Sequence, residues 1–206
     1  MSGRGRGRPR LVDEAGDNRA AIVVSARELF SANGFERTTM RAIGKRAGVD
    51  PALIHHYFGT KDALLVEALR PEIDVEAVFA GVDAVDTPGI EFVRRLVGFW
   101  EGHPEARARV IALMKVATTH DEIADGMREL QLGVVRSALS RIVADDDPEL
   151  RYGLVATQIF GLALMRYIVK VPSIRDATAD ELAALIGPVV QGYLTGPLGA
   201  PAARRR

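Results

Sequence analysis

The stretch TTMRAIGKRAGVDPALIHHYFGTKDALL, residues 38–65, decides how the chain is read. Thr39 can cap a helix by accepting a hydrogen bond from an unpaired N–H of its first turn. That helix turns Ala42, Ile43 and Ala47 toward a core. It ends at Ala47-Gly48-Val49, a reversal that needs the left-handed backbone angles open to glycine. Asp50 caps the next helix, and Pro51 occupies its first position, where a missing N–H costs nothing. This helix is short, Pro51 to Phe58. Ile54 and Phe58, four apart, pin it to the core and leave Pro51, Ala52, Leu53, His55 and His56 mostly outward. Thr60 caps a longer helix that opens with Lys61 and Asp62 and carries Leu64, Leu65, Ala68 and Leu69 along one face. Two short helices joined by a glycine turn, the second facing outward, form a helix-turn-helix over 39–58. Gly44 inside the first helix costs about 1 kcal/mol against alanine, which points to a close helix approach.

Upstream, a helix opens at Asp17 or Asn18, places Ile22, Val23, Ala26, Leu29 and Phe30 on one apolar face, and stops at Asn33-Gly34. Before it lies the Gly/Arg run GRGRGRPR; residues 1–17 are expected to be a disordered basic arm. Downstream of the Gly- and Pro-containing stretch Ala80–Gly89, helices are expected at Gly89–Glu101, Pro104–Thr118, Asp121–Val143, Pro148–Val169 and Ala179–Leu194. Period-2 alternation flanked by hairpin turns is absent. The fold class is therefore all-α: a three-helix helix-turn-helix domain over 18–64, a larger helical domain over 65–195, and a loose tail from 196 to 206.

The bulk numbers agree with this division. In 206 residues, 48% hydrophobic and 26% charged, the chain reads as globular. It has no cysteine, which excludes disulfides and Cys-based zinc sites. No apolar run is long enough to cross a bilayer, and Asp13, Glu14 and Asp17 follow the basic start where a signal peptide would need an apolar core. The expected location is the cytoplasm. The net charge of +0 hides an asymmetry. Residues 1–70 carry 12 Lys/Arg and 8 Asp/Glu, or +4, and residues 71–206 carry 15 and 19, or −4. A basic first third on a mildly acidic remainder suits a nucleic-acid-binding segment on a body that does not bind nucleic acid.

The run SARELFSANGFERTTMRAIGKRAGVDPALIHHYFGTKDALL, Ser25 to Leu65, resembles the DNA-binding domain of the TetR/AcrR family. The family pattern is a first helix ending LF…G, then TT…IA, then AGV, then an aromatic-rich recognition helix ending in Phe, then Lys three residues on. The resemblance is strongest over 19–69. It implies a ligand-responsive transcription regulator, in most cases a repressor, that binds double-stranded operator DNA as a homodimer and leaves it on meeting a small-molecule effector. Thr39 and Arg41 would touch phosphate or a nearby base. Pro51, Ala52 and Leu53 would face base edges, and His55, His56 and Tyr57 would lie near phosphate. Lys61 would meet a phosphate at the positive end of its helix. His55 replaces the usual Tyr, Ala52 stands where Gly or Pro is common, and Gly44 where Ala is common; these departures leave the base preference open. The arginine-flanked Gly-Arg-Pro of the arm resembles an AT-hook. Insertion into an A·T-rich minor groove and a non-specific electrostatic tail are both open readings.

The last two expected helices, over about 148–169 and 179–194, carry more apolar surface than one intrachain face needs. In the family this pair forms the dimer interface. A two-fold dimer would present two recognition helices about 34–36 Å apart. An effector site is expected among the middle helices, with Phe99, Trp100, Met114, Met127, Gln158 and Phe160 as candidate lining, and with the helix from Thr60 as the hinge. Rival functions fare worse. An architectural, ligand-independent DNA protein is kept open by the arm. An enzyme lacks GxSxG, a phosphate-cradling glycine loop, HExxH and paired metal carboxylates. His55-His56 are adjacent on a helix and point apart, so neither a metal nor a cofactor is expected.

Overall fold

The computed structural model describes residues 11–198, with side chains from Gly16 onward. The Gly/Arg run and the last eight residues lie outside the described part, and so do the readings placed on them. Two compact units result. The first contains the described residues up to Arg70 together with Val116–Gly126; the second contains Pro71–Lys115 and the described residues from Met127 on. Among the described residues there is no strand.

In the first unit, α1 (Leu11–Asn33) begins earlier than Asp17 or Asn18. Those side chains can cap a helix, but they do not stop one whose preceding carbonyls already accept their N–H groups. Ile22, Ala26 and Phe30 are buried as expected, and Val23 and Leu29 are half-buried. Gly34 closes the helix at φ 78°, donating its N–H to the Phe30 carbonyl at 3.0 Å. The buried Thr38 hydroxyl lies 2.8 Å from the Gly34 carbonyl and 3.1 Å from that of Leu29, tying this end to the start of α2 (Met40–Ala47). Then follow α3 (Pro51–Phe58) and α4 (Lys61–Leu69). Ile22, Ala26, Ile43, Ile54, Leu64, Leu65 and Ala68 are at most 1% exposed and make one core.

Two inward assignments need correction. Ala42 is exposed: an eight-residue helix offers one stripe to the core, and Ile43 with Ala47 takes it. Phe58 is only half-buried, and the Arg19 guanidinium stacks 5.2 Å from its ring centre. Residues 116–126 complete the unit. Glu122 accepts a hydrogen bond from the Thr60 hydroxyl at 2.7 Å, His120 meets the Phe35 ring edge-on at 4.9 Å, and Gly126 lies so close to Val66 that a Cβ would fall 2.8 Å from its methyl groups.

The second unit holds α5 (Val75–Val78), a 3₁₀ turn (Val82–Ala84), α6 (Pro88–Gly102), most of α7 (Pro104–Ala117) and α8 (Asp121–Leu139), then α9 (Pro148–Ala163), α10 (Pro172–Arg175) and α11 (Ala179–Thr195). The four-residue α5 and α10 were too short to leave a periodic signal. The helix expected to run to Val143 ends at Leu139, because the next residues serve other helices. Ala144 N–H donates to the Leu194 carbonyl at 2.9 Å, and Asp147 caps α9 through Leu150 N–H at 3.4 Å. The helix expected over 148–169 is α-helical only to Ala163 and continues as a wider π turn, Leu164–Ile168.

Two buried arginines tie the ends of this unit. Arg151, 1% exposed, donates to the Tyr193 and Gly196 carbonyls at 2.6 and 3.0 Å and pairs with Asp146 at 2.6 Å, which satisfies the end of α11. Arg166, 7% exposed, donates to the Ala177 carbonyl at 2.9 Å, to that of Ile174, and to Glu101 at 3.1 Å. α11 starts on a capping box in which Thr178 and Glu181 satisfy each other's backbone N–H groups.

The most extensive packing joins α6 to α11. It depends on two missing side chains. A Cβ on Gly89 would sit 2.5 Å from the Gln191 nitrogen, and one on Gly187 would sit 2.5 Å from the Ile90 Cα. Gln191 also accepts the Gly89 N–H at 2.8 Å. Both obstacles are backbone and cannot swing aside. Gly187→Ala should therefore destabilise the protein by about 2–3 kcal/mol in urea unfolding. Gly98→Ala, in the same α6 with nothing near its added Cβ, should be neutral or stabilise by up to about 1 kcal/mol. Equal effects of the two changes would refute the close-approach account.

Candidate functional site

The turn between α2 and α3 is built from three local choices. Thr39 accepts the Ala42 N–H at 3.1 Å and so sets where α2 begins. Gly48 takes φ 72° and ends it, with the Val49 N–H returning to the Gly44 carbonyl at 3.0 Å. Asp50 then accepts the Ala52 N–H at 2.7 Å and starts α3 on Pro51. Gly44 is needed here: a Cβ would stand 2.9 Å from the Val49 carbonyl oxygen and 3.3 Å from the Pro51 ring. The close approach is thus to the turn itself and the first residue of α3.

α3 has one buried residue, Ile54. Ala52, His55 and His56 are exposed, and Pro51, Leu53 and Tyr57 are half-exposed. The outward face expected from the sequence is therefore present as a continuous strip of small, apolar and imidazole groups. His55 Nδ1 lies 2.8 Å from the Gly59 carbonyl, which can only accept. The proton is then on Nδ1, and Nε2 is left as an acceptor in the neutral ring. The rings of His56 and Tyr57 are 5.6 Å apart.

The cations near this strip divide into two sets. Arg46 is held by Glu28 at 2.5 Å and Arg19 by Glu67 at 2.7 Å. The Arg19 hydrogen bond draws the Glu67 carboxyl below its ordinary pKa, against the opposing pull of burial. Arg37, Arg41 and Lys45 are exposed and have no hydrogen-bond or ion-pair partner among the described residues. Arg41 and Lys45 are four apart on α2 and share one side of it. The sequence reading named Arg41 but missed Lys45 and Arg37; the i, i+4 spacing of Arg41 and Lys45 was the available signal. Thr39 is exposed, with its oxygen already engaged as a cap. Lys61 is half-buried, its ammonium 4.1 Å from the centre of the Phe35 ring. It stands in the first turn of α4 as expected, but with a partner inside the unit.

The second unit contains an apolar cavity of about 60 Å³. Four helices supply its wall: Leu96 and Trp100 from α6, Leu113 from α7, Met127 from α8, Ile159 from α9, with Pro71 from the preceding loop. Of the six residues proposed from the sequence, Trp100 and Met127 line it. Phe99 instead stacks on His103 at 4.3 Å, and Met114 is buried elsewhere in the core. Gln158 and Phe160 are half-buried on other faces of α9 than the 156/159/163 stripe that lines the space. These four were picked by residue type, whereas the helical face decides which side chain reaches a cavity. Gln131, missed in the sequence, is the one polar side chain in the wall, and its amide has no hydrogen-bond partner among the described residues. Behind Trp100 lies a polar cluster. Tyr167 meets the Trp100 ring edge-on at 5.7 Å and donates to Glu101 at 2.7 Å, and burial with that carboxylate pushes its hydroxyl pKa up to about 12.

Comparison with known proteins agrees with this architecture. Residues 22–68 match the family model described as "Bacterial regulatory proteins, tetR family", and residues 86–194 match "Tetracyclin repressor-like, C-terminal domain". The chain is 34% identical over 109 residues to the HTH-type transcriptional regulator BetI of Rhizobium meliloti, a match covering 52% of this chain and 44% of that protein. It is 26% identical over 133 residues to the regulator UidR of Escherichia coli, covering 63% and 66%. Among solved structures, a TetR-family regulator from Streptomyces coelicolor superposes with a TM-score of 0.67 at 32% identity, covering 92% of this chain and 99% of that one. With a helix-turn-helix braced at Gly44 and a larger all-helical unit behind it in sequence, the chain belongs to the TetR family.

Proposed function

We propose that this protein is a ligand-responsive transcription regulator that binds a near-palindromic operator as a homodimer. The observation that carries the reading is the exposed strip of α3 together with Arg37, Arg41 and Lys45 on and just before α2, exposed cations with no partner among the described residues. A helix entering a major groove needs compact outward side chains, and phosphates need cations not already neutralised. Leu53 and Ala52 suit contact with thymine methyl groups, and the imidazoles of His55 and His56 suit base edges or phosphate. Arg41 and Lys45 supply sequence-independent, salt-sensitive affinity. Such a protein acts where the chromosome is, in the cytoplasm.

Support for the dimer comes from apolar surface left open in the second unit. Leu185 is 73% exposed and Val189 44%, one turn apart on α11, while Met165 and Val169 are 40% and 56% exposed near the end of the preceding long helix. A second copy would cover such a face. The cavity is the place for an effector. A ligand there favours a dimer conformation whose two recognition helices no longer fit successive major grooves, and the strength of the response equals the difference in its affinity for the two conformations. Repression relieved by the effector is the sign this arrangement suits best.

Selection of bound duplexes from a random pool should return an inverted repeat with half-sites about one helical turn apart. Enrichment of no sequence would overturn the regulator reading. On the selected site, Arg41→Ala or Lys45→Ala should weaken binding to all duplexes alike and lower the salt dependence by about one phosphate contact each. Leu53→Ala should cost about 1–3 kcal/mol at its own base pair and relax preference there, with an unchanged melting profile. Leu185→Glu combined with Val189→Glu should give monomers in analytical ultracentrifugation and lose tight binding to the full inverted repeat. A dimer persisting in that variant would place the interface elsewhere.

A further inference from the structure

We infer that the cavity of the second unit takes a compact, uncharged, apolar molecule, an aromatic or branched hydrocarbon skeleton, and that Gln131 is the position that decides whether charge is admitted. This rests on the proposed regulator function and names the effector class of that site.

The wall determines the class. Trp100, Leu113, Met127, Val134, Ile159 and Ala163 are typical of it, and no Asp, Glu, Lys, Arg or His lines it. A charged ligand would surrender its hydration and find no counter-ion. The ionic groups next to the lining in sequence are already engaged: Arg109 pairs with Glu72 at 3.4 Å, and a cluster forms around Glu101 beside Trp100. Glu101 accepts from Tyr167 at 2.7 Å, from Arg166 at 3.1 Å and from Arg107 at 3.2 Å, and Arg166 Nη1 donates to the Ile174 and Ala177 carbonyls. Those cations have no reason to leave for a ligand carboxylate. A ligand with several hydroxyl groups fares little better, because the wall is almost wholly apolar and only the Gln131 amide and the Trp100 indole N–H bring polar atoms to it.

Size follows from volume. About 60 Å³ is far below the ~300–1,000 Å³ of sites that hold drug-sized molecules. A single ring enters only with some yielding of the wall. Met127 and Leu130, unbranched at Cβ, can move by rotamer change, and the β-branched Val110, Val134 and Ile159 are stiff. Small rings are therefore preferred over fused or long-chain ligands.

Trp100 is the one tryptophan of the chain and part of the wall, so its emission reports occupancy directly. Toluene and benzoate share a ring and differ in a methyl against a carboxylate. Titrated into the full-length protein, toluene should change Trp100 emission saturably with a Kd at least tenfold below that of benzoate. Gln131→Lys should reverse the order, gaining at least tenfold for benzoate. Ala156→Leu should abolish the toluene response by filling the space, with Ala163→Leu as the alternative if the first variant does not fold. Equal affinity of the natural protein for both probes, no saturable response to toluene, or a response that survives both filling changes would overturn the inference. Operator release is read separately by gel shift. Toluene binding without release would leave the ligand class standing and refute the effector coupling, whereas failure to bind any duplex would refute the regulator reading and leave the titration unaffected.

Discussion

Between Gly44 and the Val49 carbonyl there is no room for a methyl group, and the geometry of the first unit follows from that. The contact lets the chain turn back within a few residues, so that α3 starts directly against α2. With the turn this tight, Ile43 and Ile54 reach the same core as Ile22 and Leu64, and Ala52, His55 and His56 of α3 are turned outward. The cost of a glycine within a helix is met by burial of the isoleucines on either side of the turn. A looser turn would let α3 roll and bring part of its outward strip into the core.

The allotment of charge complements that geometry. Around α3 the arginines that brace the fold are paired: Arg19 with Glu67, Arg46 with Glu28, and Arg27 with the Ala68 carbonyl at 2.9 Å. Arg37, Arg41 and Lys45 have no such partner among the described residues. Exposed ion pairs add little to stability, so the pairing has its main effect in deciding which cations stay available to a polyanion. The second unit uses its buried arginines in the opposite sense. Arg151 binds carbonyls at the end of α11 that would otherwise lack partners, and Arg166 binds carbonyls of α10 and of the loop before α11.

Much of this was legible in the sequence because the signals were local. Thr39, Asp50 and Thr60 are each a short-range cap, and each accepts the N–H that its position implies. The five longer helices from Pro88 to Thr195 begin within one residue of the expected positions, while the short α10 between them left no signal. What escaped was set by partners distant in sequence. The recruitment of residues 116–126 to the first unit depends on Thr60, Phe35 and Val66, which no local pattern connects to them. The cavity wall depends on which side of each helix faces inward, and residue type alone misassigned Phe99, Met114, Gln158 and Phe160. Lys61 sits where the family pattern puts it, but its attachment to Phe35 is a tertiary fact.

The glycine pair at Gly89 and Gly187 has a bearing on how such proteins can be rebuilt. Where two helices touch backbone to backbone, neither can be transplanted alone. An α11 imported from another protein with any residue but glycine opposite Ile90 would force the seam open. Chimeras of this chain therefore have to exchange α6 and α11 as a unit.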